Sequence, residues 1–267
     1  MRRLSRRALL RGGALTLAGG ALGAAGALEV PRWCGWDHPP LSGGYAAADD
    51  TLSAIVTPGV SVRYYVPTTE PLVALTLDDG PGPKWTPKFL DALDEAGIPA
   101  TFFMVGHNVE LHADLVRDRI ARHEIGNHTW IHRDLAMLDL PTIRADLTRT
   151  AATIEDRLGR TPTLLRPPYG HLGGSTLLAA DAMGYQVILW NLAMRELQFA
   201  GNPAAQARDL VDTVRPGSII LAHDVGDDRR LVGLGSVPGL VAGLKAKGYR
   251  FVTVSELIAA AGVHTQA

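Results

Sequence analysis

The sequence is poor in features that would each indicate a particular class of protein. Its 267 residues include one cysteine, Cys34, so no disulfide can form within the chain, and we interpret this residue as an inert thiol. No basic run follows the N-terminal segment and no internal repeat is present, which argues against a nucleic-acid-binding protein and against a repeat architecture. The remaining composition, 46% hydrophobic and 20% charged, is enough for one large domain with a substantial core.

A long membrane-spanning run is also lacking. The apolar stretch Gly12–Ala27 is 16 residues, which is short for a transmembrane helix. It follows the pair Arg6-Arg7 and ends on an Ala-Gly-Ala cleavage pattern. We interpret residues 1–27 as a twin-arginine export signal, with an uncleaved anchor or a plain basic N-terminus as alternatives. After cleavage we expect no stable membrane anchor and a location outside the cell, in the cell wall or in the periplasm.

Composition divides the rest of the chain in two. Residues 28–68 are rich in proline, glycine and alanine, which indicates a linker or a loosely packed N-terminal extension. Residues 69–267 then form the predicted domain. The whole chain carries 26 basic and 27 acidic residues, and its first 27 residues hold five arginines and no acid. Export would therefore leave 21 basic and 27 acidic residues, a net charge of −6.

Within residues 69–267, short apolar runs alternate with longer amphipathic runs. The pattern predicts strands at 72–77, 100–105, 124–127, 163–166, 186–190, 218–222 and 250–254. A helix is predicted after each strand. The first begins at Thr86, as N-cap, and ends at Gly97, and the third is capped by Asp139 and closed by Gly159. The second to seventh helices are predicted near Ala113–Arg122, Leu140–Leu158, Ser175–Met183, Pro203–Val214, Pro238–Lys247 and Glu256–Ala261.

Seven β-then-α units predict a parallel sheet. The alternative to a barrel is an open doubly wound sheet, which usually carries a glycine-rich phosphate loop after its first strand. Here the first strand, Leu72–Leu77, is followed by Asp-Asp-Gly-Pro-Gly-Pro, which offers carboxylates instead. We therefore predict an incomplete (β/α) barrel.

Polar residues collect where the predicted strands end. Because the carboxyl ends of parallel strands share one mouth of a barrel, these side chains are expected to lie together, as active-site residues do. The residues concerned are Asp78, Asp79, His128, His132, Arg166, Glu196, His223 and Asp224.

Two histidines four residues apart, His128 and His132, are the strongest metal signal. A helix or a tight turn would bring both imidazoles to one side, and two histidines with a carboxylate are a common ligand set for catalytic zinc. Two unrelated surface histidines are the alternative. Of the adjacent Asp78 and Asp79, one would ligate the metal and the other would accept a proton from activated water. A simple Asp-Gly turn would account for only one of the two aspartates.

Two further segments offer groups for catalysis. Arg166 ends a strand and could hold a catalytic carboxylate in its charged form, while the rigid turn after it could present the Tyr169 N–H to an oxyanion. An ordinary salt bridge on a proline turn is the alternative. His223 could protonate a leaving amine, although a lone histidine at a strand end is more often a satisfied core residue.

Four ordered motifs across residues 70–255 resemble those of the polysaccharide deacetylases of the NodB-homology type, carbohydrate esterase family 4. The motifs are Thr76-Leu77-Asp78-Asp79-Gly80, His128-Thr129-Trp130-Ile131-His132, Arg166-Pro167-Pro168-Tyr169-Gly170 and Leu221-Ala222-His223-Asp224.

The resemblance implies a distorted (β/α)7-type barrel and metal-dependent removal of acetyl groups from sugars. It implies that Asp78 is the catalytic base and that Arg166 orients it. It further implies that Asp79, His128 and His132 bind the metal and that the Tyr169 amide stabilises the oxyanion. By the same resemblance, Leu221 would form a wall of the acetyl-methyl pocket and His223 would be the general acid.

The segment after the fifth strand departs from the family pattern Trp-Ser-x-Asp-x-x-Asp-Trp. Ala193 stands in place of the first acid, Glu196 in place of the second and Leu197 in place of the last tryptophan. We predict that Glu196 supplies the carboxylate that tunes His223, with a solvent-facing Glu196 as the alternative.

These features predict an exported deacetylase that removes N-acetyl groups from a polysaccharide containing N-acetylglucosamine, such as peptidoglycan or chitin. Zinc fits the predicted ligands, and cobalt or nickel would fit as well. The alternatives are an O-acetyl (xylan) esterase and a glycan-binding pseudoenzyme on the same barrel.

Overall fold

The alternating apolar and amphipathic runs form strands and helices in the predicted order. The computed structural model describes residues 59–263, so the predicted signal at 1–27, Cys34 and most of 28–68 lie outside the described residues. In chain order the elements are β1 (Val62–Arg63), β2 (Leu72–Asp78), α1 (Thr86–Ala96), β3 (Thr101–Met104), α2 (Gly106–His112), β4 (Glu124–Asn127), α3 (Leu140–Leu158), β5 (Leu164–Leu165), α4 (Gly174–Ala182), β6 (Gln186–Ile188), β7 (Leu192–Ala193), α5 (Pro203–Thr213), β8 (Ser218–His223), α6 (Leu231–Ala246), β9 (Arg250–Phe251) and α7 (Val254–Val263).

The strands form one parallel sheet in the order β1-β6-β5-β4-β3-β2-β8-β7, and β9 also pairs with β2. The sheet curls into a half-barrel covered by the helices, which confirms the predicted incomplete (β/α)7-type barrel. Across the register Asp78 lies level with Phe103 on β3 and with His223 on β8. Parallel pairing therefore brings the predicted catalytic positions to the same end of neighbouring strands.

Strand β2 is buried on both faces, as a continuous apolar run predicts. Val73, Leu75 and Leu77 pack into the large core that contains side chains of α1, α5 and α6. Leu72 and Ala74 pack on the opposite side in a core that includes side chains of α7. Because side chains alternate along a strand, Asp78 shares the second face, inside the curled sheet.

The folded part of the chain begins before residue 69. Strand β1 lies inside the 28–68 segment that we expected to be a linker or a loose extension, and it pairs in parallel with β6. Val66 is buried, and its N–H donates a hydrogen bond to the Gly217 carbonyl. Residues 62–66 therefore belong to the domain, and the expected boundary at residue 69 is too late.

Helix ends follow their capping residues closely. Asp139 accepts a hydrogen bond from the Thr142 N–H at 3.0 Å, and Gly159 closes α3 in the left-handed conformation, as predicted. Thr86 is not the N-cap of α1 as expected: Trp85 occupies that position. The Thr86 hydroxyl instead donates to Asp224 Oδ2 at 2.6 Å, so it ties the start of the helix to the end of β8.

Two helix predictions were wrong in position. The helix expected near Ala113–Arg122 is instead α2, followed by a short 3₁₀ turn at Ala113–Leu115. Apolar residues spaced for a helix in that region are buried by successive turns, so their spacing resembled a helical period. Helix α6 begins seven residues before the expected Pro238 and contains that proline in its interior. Packing of α6 against α1 and α5 outweighs the missing backbone hydrogen bond.

Across residues 59–263, none of the helices is both long enough and apolar enough to cross a lipid bilayer.

Candidate active site

The adjacent aspartates after β2 face different partners. Asp78 is the last residue of β2, and its Oδ1 accepts a hydrogen bond from Arg166 Nη1 at 2.7 Å. Asp79 has a left-handed backbone (φ 79°), which is uncommon for a residue other than glycine. That reversal turns its side chain away from Asp78 and toward His128 and His132.

The two histidines are carried by a turn rather than a helix. Thr129 and His132 both adopt left-handed conformations. Asn127 Oδ1 accepts from the Thr129 N–H at 2.9 Å, and Asp146 Oδ1, on α3, accepts from the Trp130 N–H at 2.7 Å. Side-chain acceptors thus satisfy backbone donors that a helix would have used internally.

One oxygen and two nitrogens converge as a possible metal-ligand set. The ligand atoms of Asp79, His128 and His132 all lie within 4.8 Å of one another. His128 Nδ1 is 2.7 Å from the Arg166 carbonyl, which fixes its proton there and leaves Nε2 as a lone-pair donor 3.5 Å from Asp79 Oδ1. Asp79 Oδ1 is buried and has no hydrogen-bond partner within residues 59–263. A divalent cation would satisfy these facing acceptors, so the residues fit one.

Burial and charge shift the pKa values of these groups. Burial works to lower the pKa of His128, but the carboxylates of Asp78 and Asp79 outweigh it and raise that pKa. Burial raises the pKa of Asp79, yet the three nearby histidines, His128 foremost, hold it well below its ordinary value. The aspartate is therefore an anion ready to bind a cation.

Arg166 is fully buried and holds Asp78 in place. Its Nη1 donates to Asp78 Oδ1 and to Thr76 Oγ1, both at 2.7 Å, while its other nitrogens donate to the carbonyls of Ile188 and Leu189. The guanidinium also lies 4.1 Å from the centre of the Phe103 ring. Because these contacts fix the Arg166 guanidinium, it can orient the Asp78 carboxylate and compensate its negative charge.

His223 has a carboxylate partner. Its Nδ1 lies 3.2 Å from Glu196 Oε1, while Ala193 pairs across the sheet with Leu221. Burial raises the pKa of Glu196, but the hydrogen bond and charge of His223 outweigh it and lower the pKa. Glu196 therefore occupies the place beside the histidine that its motif position predicted. Leu197 is exposed, and Leu221 is buried.

Tyr169 lies at the rim of the site. Its backbone is left-handed (φ 62°), a conformation that bulky residues rarely adopt outside strained functional turns. Its exposed ring contacts His132, with ring centres 4.8 Å apart.

Sequence reasoning missed several supporting residues. Asp146 on α3 belongs to no motif, and Thr76 on β2 was part of the first motif but had no assigned role, because their partners are distant in sequence. Asp224 was placed at the rim without a role. It is fully buried, and burial raises its pKa to about 7. Arg230, which donates to Asp79 Oδ2 at 3.1 Å, lies outside the motifs that the sequence analysis singled out.

The chain is similar to known polysaccharide deacetylases. A family model described as polysaccharide deacetylase matches residues 65–188. A peptidoglycan-N-acetylglucosamine deacetylase of Bacillus cereus is 36% identical over 200 residues, which cover 74% of this chain and 92% of that protein.

Solved structures agree with the sequence comparison. A crystal structure of a peptidoglycan N-acetylglucosamine deacetylase with a bound benzamide compound superposes with a TM-score of 0.70 at 30% identity, covering 76% of this chain and 97% of that one. A family 4 acetyl xylan esterase from Clostridium thermocellum, in complex with a cobalt ion, gives a TM-score of 0.65 at 33% identity, covering 70% and 90%. With the motifs in the family's order around one half-barrel, the chain belongs to the polysaccharide deacetylase family, carbohydrate esterase family 4.

Proposed function

We propose that this protein is an exported, metal-dependent deacetylase that hydrolyses N-acetyl groups of a polysaccharide containing N-acetylglucosamine, peptidoglycan or a chitin-like polymer. The convergence of three ligand atoms within 4.8 Å, beside a held carboxylate and a paired histidine, carries the proposal. The similar Bacillus cereus protein is named for action on N-acetylglucosamine in peptidoglycan, which supports this choice of substrate.

In this proposal Asp79, His128 and His132 hold the metal. Two imidazoles and one carboxylate suit zinc and leave room for other ligands, and cobalt or nickel would also be accepted. When bound, the ion supplies Lewis-acid activation of water and of the acetyl carbonyl. The cobalt ion in the similar acetyl xylan esterase is consistent with a divalent metal.

Asp78 is the proposed general base. Its Oδ1 is occupied by Arg166 Nη1, so Oδ2 is the oxygen that accepts the proton of the attacking water. The hydrogen bond from the buried guanidinium of Arg166 fixes the orientation of the Asp78 carboxylate.

Tyr169 and Leu221 would bind the acetyl group. The Tyr169 N–H is proposed to donate to the oxyanion that develops on the carbonyl oxygen. Leu221, on β8, would form part of the wall around the acetyl methyl. A cavity of about 280 Å³ lined by Asp79 and His132 offers room for part of a sugar beside the proposed metal ligands.

His223 is the proposed general acid. Its Nδ1 is taken by Glu196, so Nε2 carries the proton that goes to the departing amine. The Glu196 carboxylate, 3.2 Å from Nδ1, holds the imidazole ring in one orientation for this step.

One other substrate is supported by a specific observation. The similar protein that is 33% identical is named an acetyl xylan esterase, and this supports an O-acetyl ester as the other candidate substrate. The altered segment at Ala193 and Leu197 keeps a glycan-binding pseudoenzyme as a further alternative.

Acetate release tests the proposal. The purified protein would be given N-acetylated chitooligosaccharides, peptidoglycan and acetylxylan, each with and without a chelator. Chelator-sensitive release from the first two substrates is expected. Release from acetylxylan alone would favour the O-acetyl esterase, and no release from any substrate with retained glycan binding would favour the pseudoenzyme.

A further inference from the structure

An arginine outside the four motifs reaches the proposed metal site. Arg230 Nη1 donates to Asp79 Oδ2 at 3.1 Å and to the Val225 carbonyl at 3.2 Å. These partners lie far apart in sequence, Asp79 after β2 and Arg230 just before α6. The guanidinium thus joins the loop after β8 to the carboxylate after β2.

The local structure around Arg230 fixes its direction. Asp227 caps a short 3₁₀ helix, Asp228–Arg230, by accepting from the Arg229 N–H at 2.8 Å, and α6 starts at the next residue. Gly226 has φ 122°, and a Cβ there would lie 3.2 Å from Arg230 Cδ. The glycine therefore allows the arginine side chain to cross the loop closely on its way to the site.

The two oxygens of Asp79 have different neighbours as a result. Oδ1 lies 3.5 Å from His128 Nε2 and 3.2 Å from His132 Nε2, whereas Oδ2 is bound by Arg230. A carboxylate held by one oxygen keeps the other in a defined direction. Partners of this kind orient ligands in metal sites, and their loss typically weakens metal binding about 10–100-fold.

We propose that Arg230 is a positioning residue that holds Asp79 with Oδ1 toward the two histidines for one-oxygen metal ligation. This inference rests on the proposed metal site. A purely electrostatic role predicts the opposite effect, because a cation beside the site repels a divalent ion and its removal would strengthen metal binding. The direction of the change in affinity therefore separates positioning from simple charge.

The test uses the metal-free protein and three variants. Zinc dissociation constants would be measured by competition with a chromophoric chelator for the parent, Arg230→Ala, Arg230→Lys and Arg229→Ala. Arg229 is an adjacent, exposed arginine paired with Asp227, so its variant removes the same charge without touching Asp79. Unfolding temperatures without metal would show that each variant is folded.

We expect zinc affinity to fall about 10–100-fold in Arg230→Ala and to stay within twofold of the parent in Arg229→Ala. Arg230→Lys keeps the charge and one donor, so its affinity should lie between those of Arg230→Ala and the parent. Unchanged or tighter zinc binding by folded Arg230→Ala would overturn the positioning role alone. A parent that binds no zinc, cobalt or nickel would overturn the metal site and this inference with it.

Discussion

At the scale of single residues, the adjacent aspartates Asp78 and Asp79 have different surroundings, which suit them to different proposed roles. Asp78 is nearly fully buried and bound by Arg166, whereas Asp79 turns through a left-handed backbone to two imidazoles. A carboxylate bound by a fixed guanidinium suits proton transfer, and one that faces two lone-pair nitrogens suits a cation.

The division between the aspartates can be measured. Asp78→Asn should keep its metal and lose turnover by about 10²–10⁴-fold, the range typical for a general base. Asp79→Ala should lose metal affinity because it removes a ligand. Elemental analysis after dialysis, with acetate release on the same samples, checks both. Equal metal loss in the two variants would contradict the division of roles.

Glu196 gives a prediction about pH dependence. The pKa of Glu196 is lowered by His223 against the opposing effect of burial, so the carboxylate stays ionised through the neutral range. Glu196→Gln removes the negative charge that lies 3.2 Å from His223 Nδ1. The alkaline limb of the kcat/KM profile should then move to lower pH.

The comparison needs samples of matched metal content. Glu155→Gln on the exposed surface of α3 removes an equal charge far from His223 and serves as the control. An alkaline limb that stays in place in Glu196→Gln would show that another group tunes the histidine.

At the scale of elements, one helix supports the turn that carries the two proposed histidine ligands. Helix α3 begins at the Asp139 cap and places Asp146 two turns later under the Trp130 N–H. Trp130 is itself buried, with the Arg149 guanidinium of the same helix 3.6 Å from its ring centre. The conformation of the turn between His128 and His132 therefore depends on α3.

Two substitutions on α3 should separate stability from site geometry. Asp146→Ala leaves a buried N–H unsatisfied, which costs about 1–3 kcal/mol of unfolding free energy, and it should also weaken metal binding because the turn loses its support. Asp139→Ala removes an exposed cap for about 1 kcal/mol and should leave metal affinity unchanged. Denaturant unfolding and chelator competition measure the two quantities. Equal metal affinity in both variants would argue against support of the turn by Asp146.

At the scale of the whole molecule, the proposed catalytic groups come from segments spread over much of the domain. Asp78 and His223 are partners across the sheet, yet ten of the sixteen named strands and helices lie between them in the chain. Such a site forms only when the whole half-barrel has folded. A protein that folds and takes up metal before export would suit a route for folded proteins, which agrees with the twin-arginine pattern at Arg6 and Arg7.

Export therefore provides a test at this scale. Replacing both Arg6 and Arg7 with lysine should leave uncleaved precursor in the cytoplasm, because paired arginines are the defining feature of the proposed twin-arginine signal. Cell fractionation and immunoblotting would measure it, with Arg2 and Arg3 replaced by lysine as the matched control. Normal secretion of the Arg6/Arg7 variant would contradict the route.

Much of the fold and of the site followed from local patterns. The strand that ends on Asp78 and the helix between Asp139 and Gly159 were predictable because alternation and capping act over a few residues. The misplaced start of α6 and the missed α2 show the limit. Their boundaries depend on packing against other elements, which local spacing does not record.

The amino-acid sequence by itself determined the parallel half-barrel and the set of polar residues at its carboxyl end, because strand period and strand ends are local properties. Only the tertiary structure decided that Glu196 reaches His223, that Asp146 supports the histidine turn and that Arg230 binds Asp79. These contacts join residues that are distant along the chain, and their distances depend on how the loops cross above the sheet. Such contacts form only when the elements pack together, so the sequence of one segment cannot predict them.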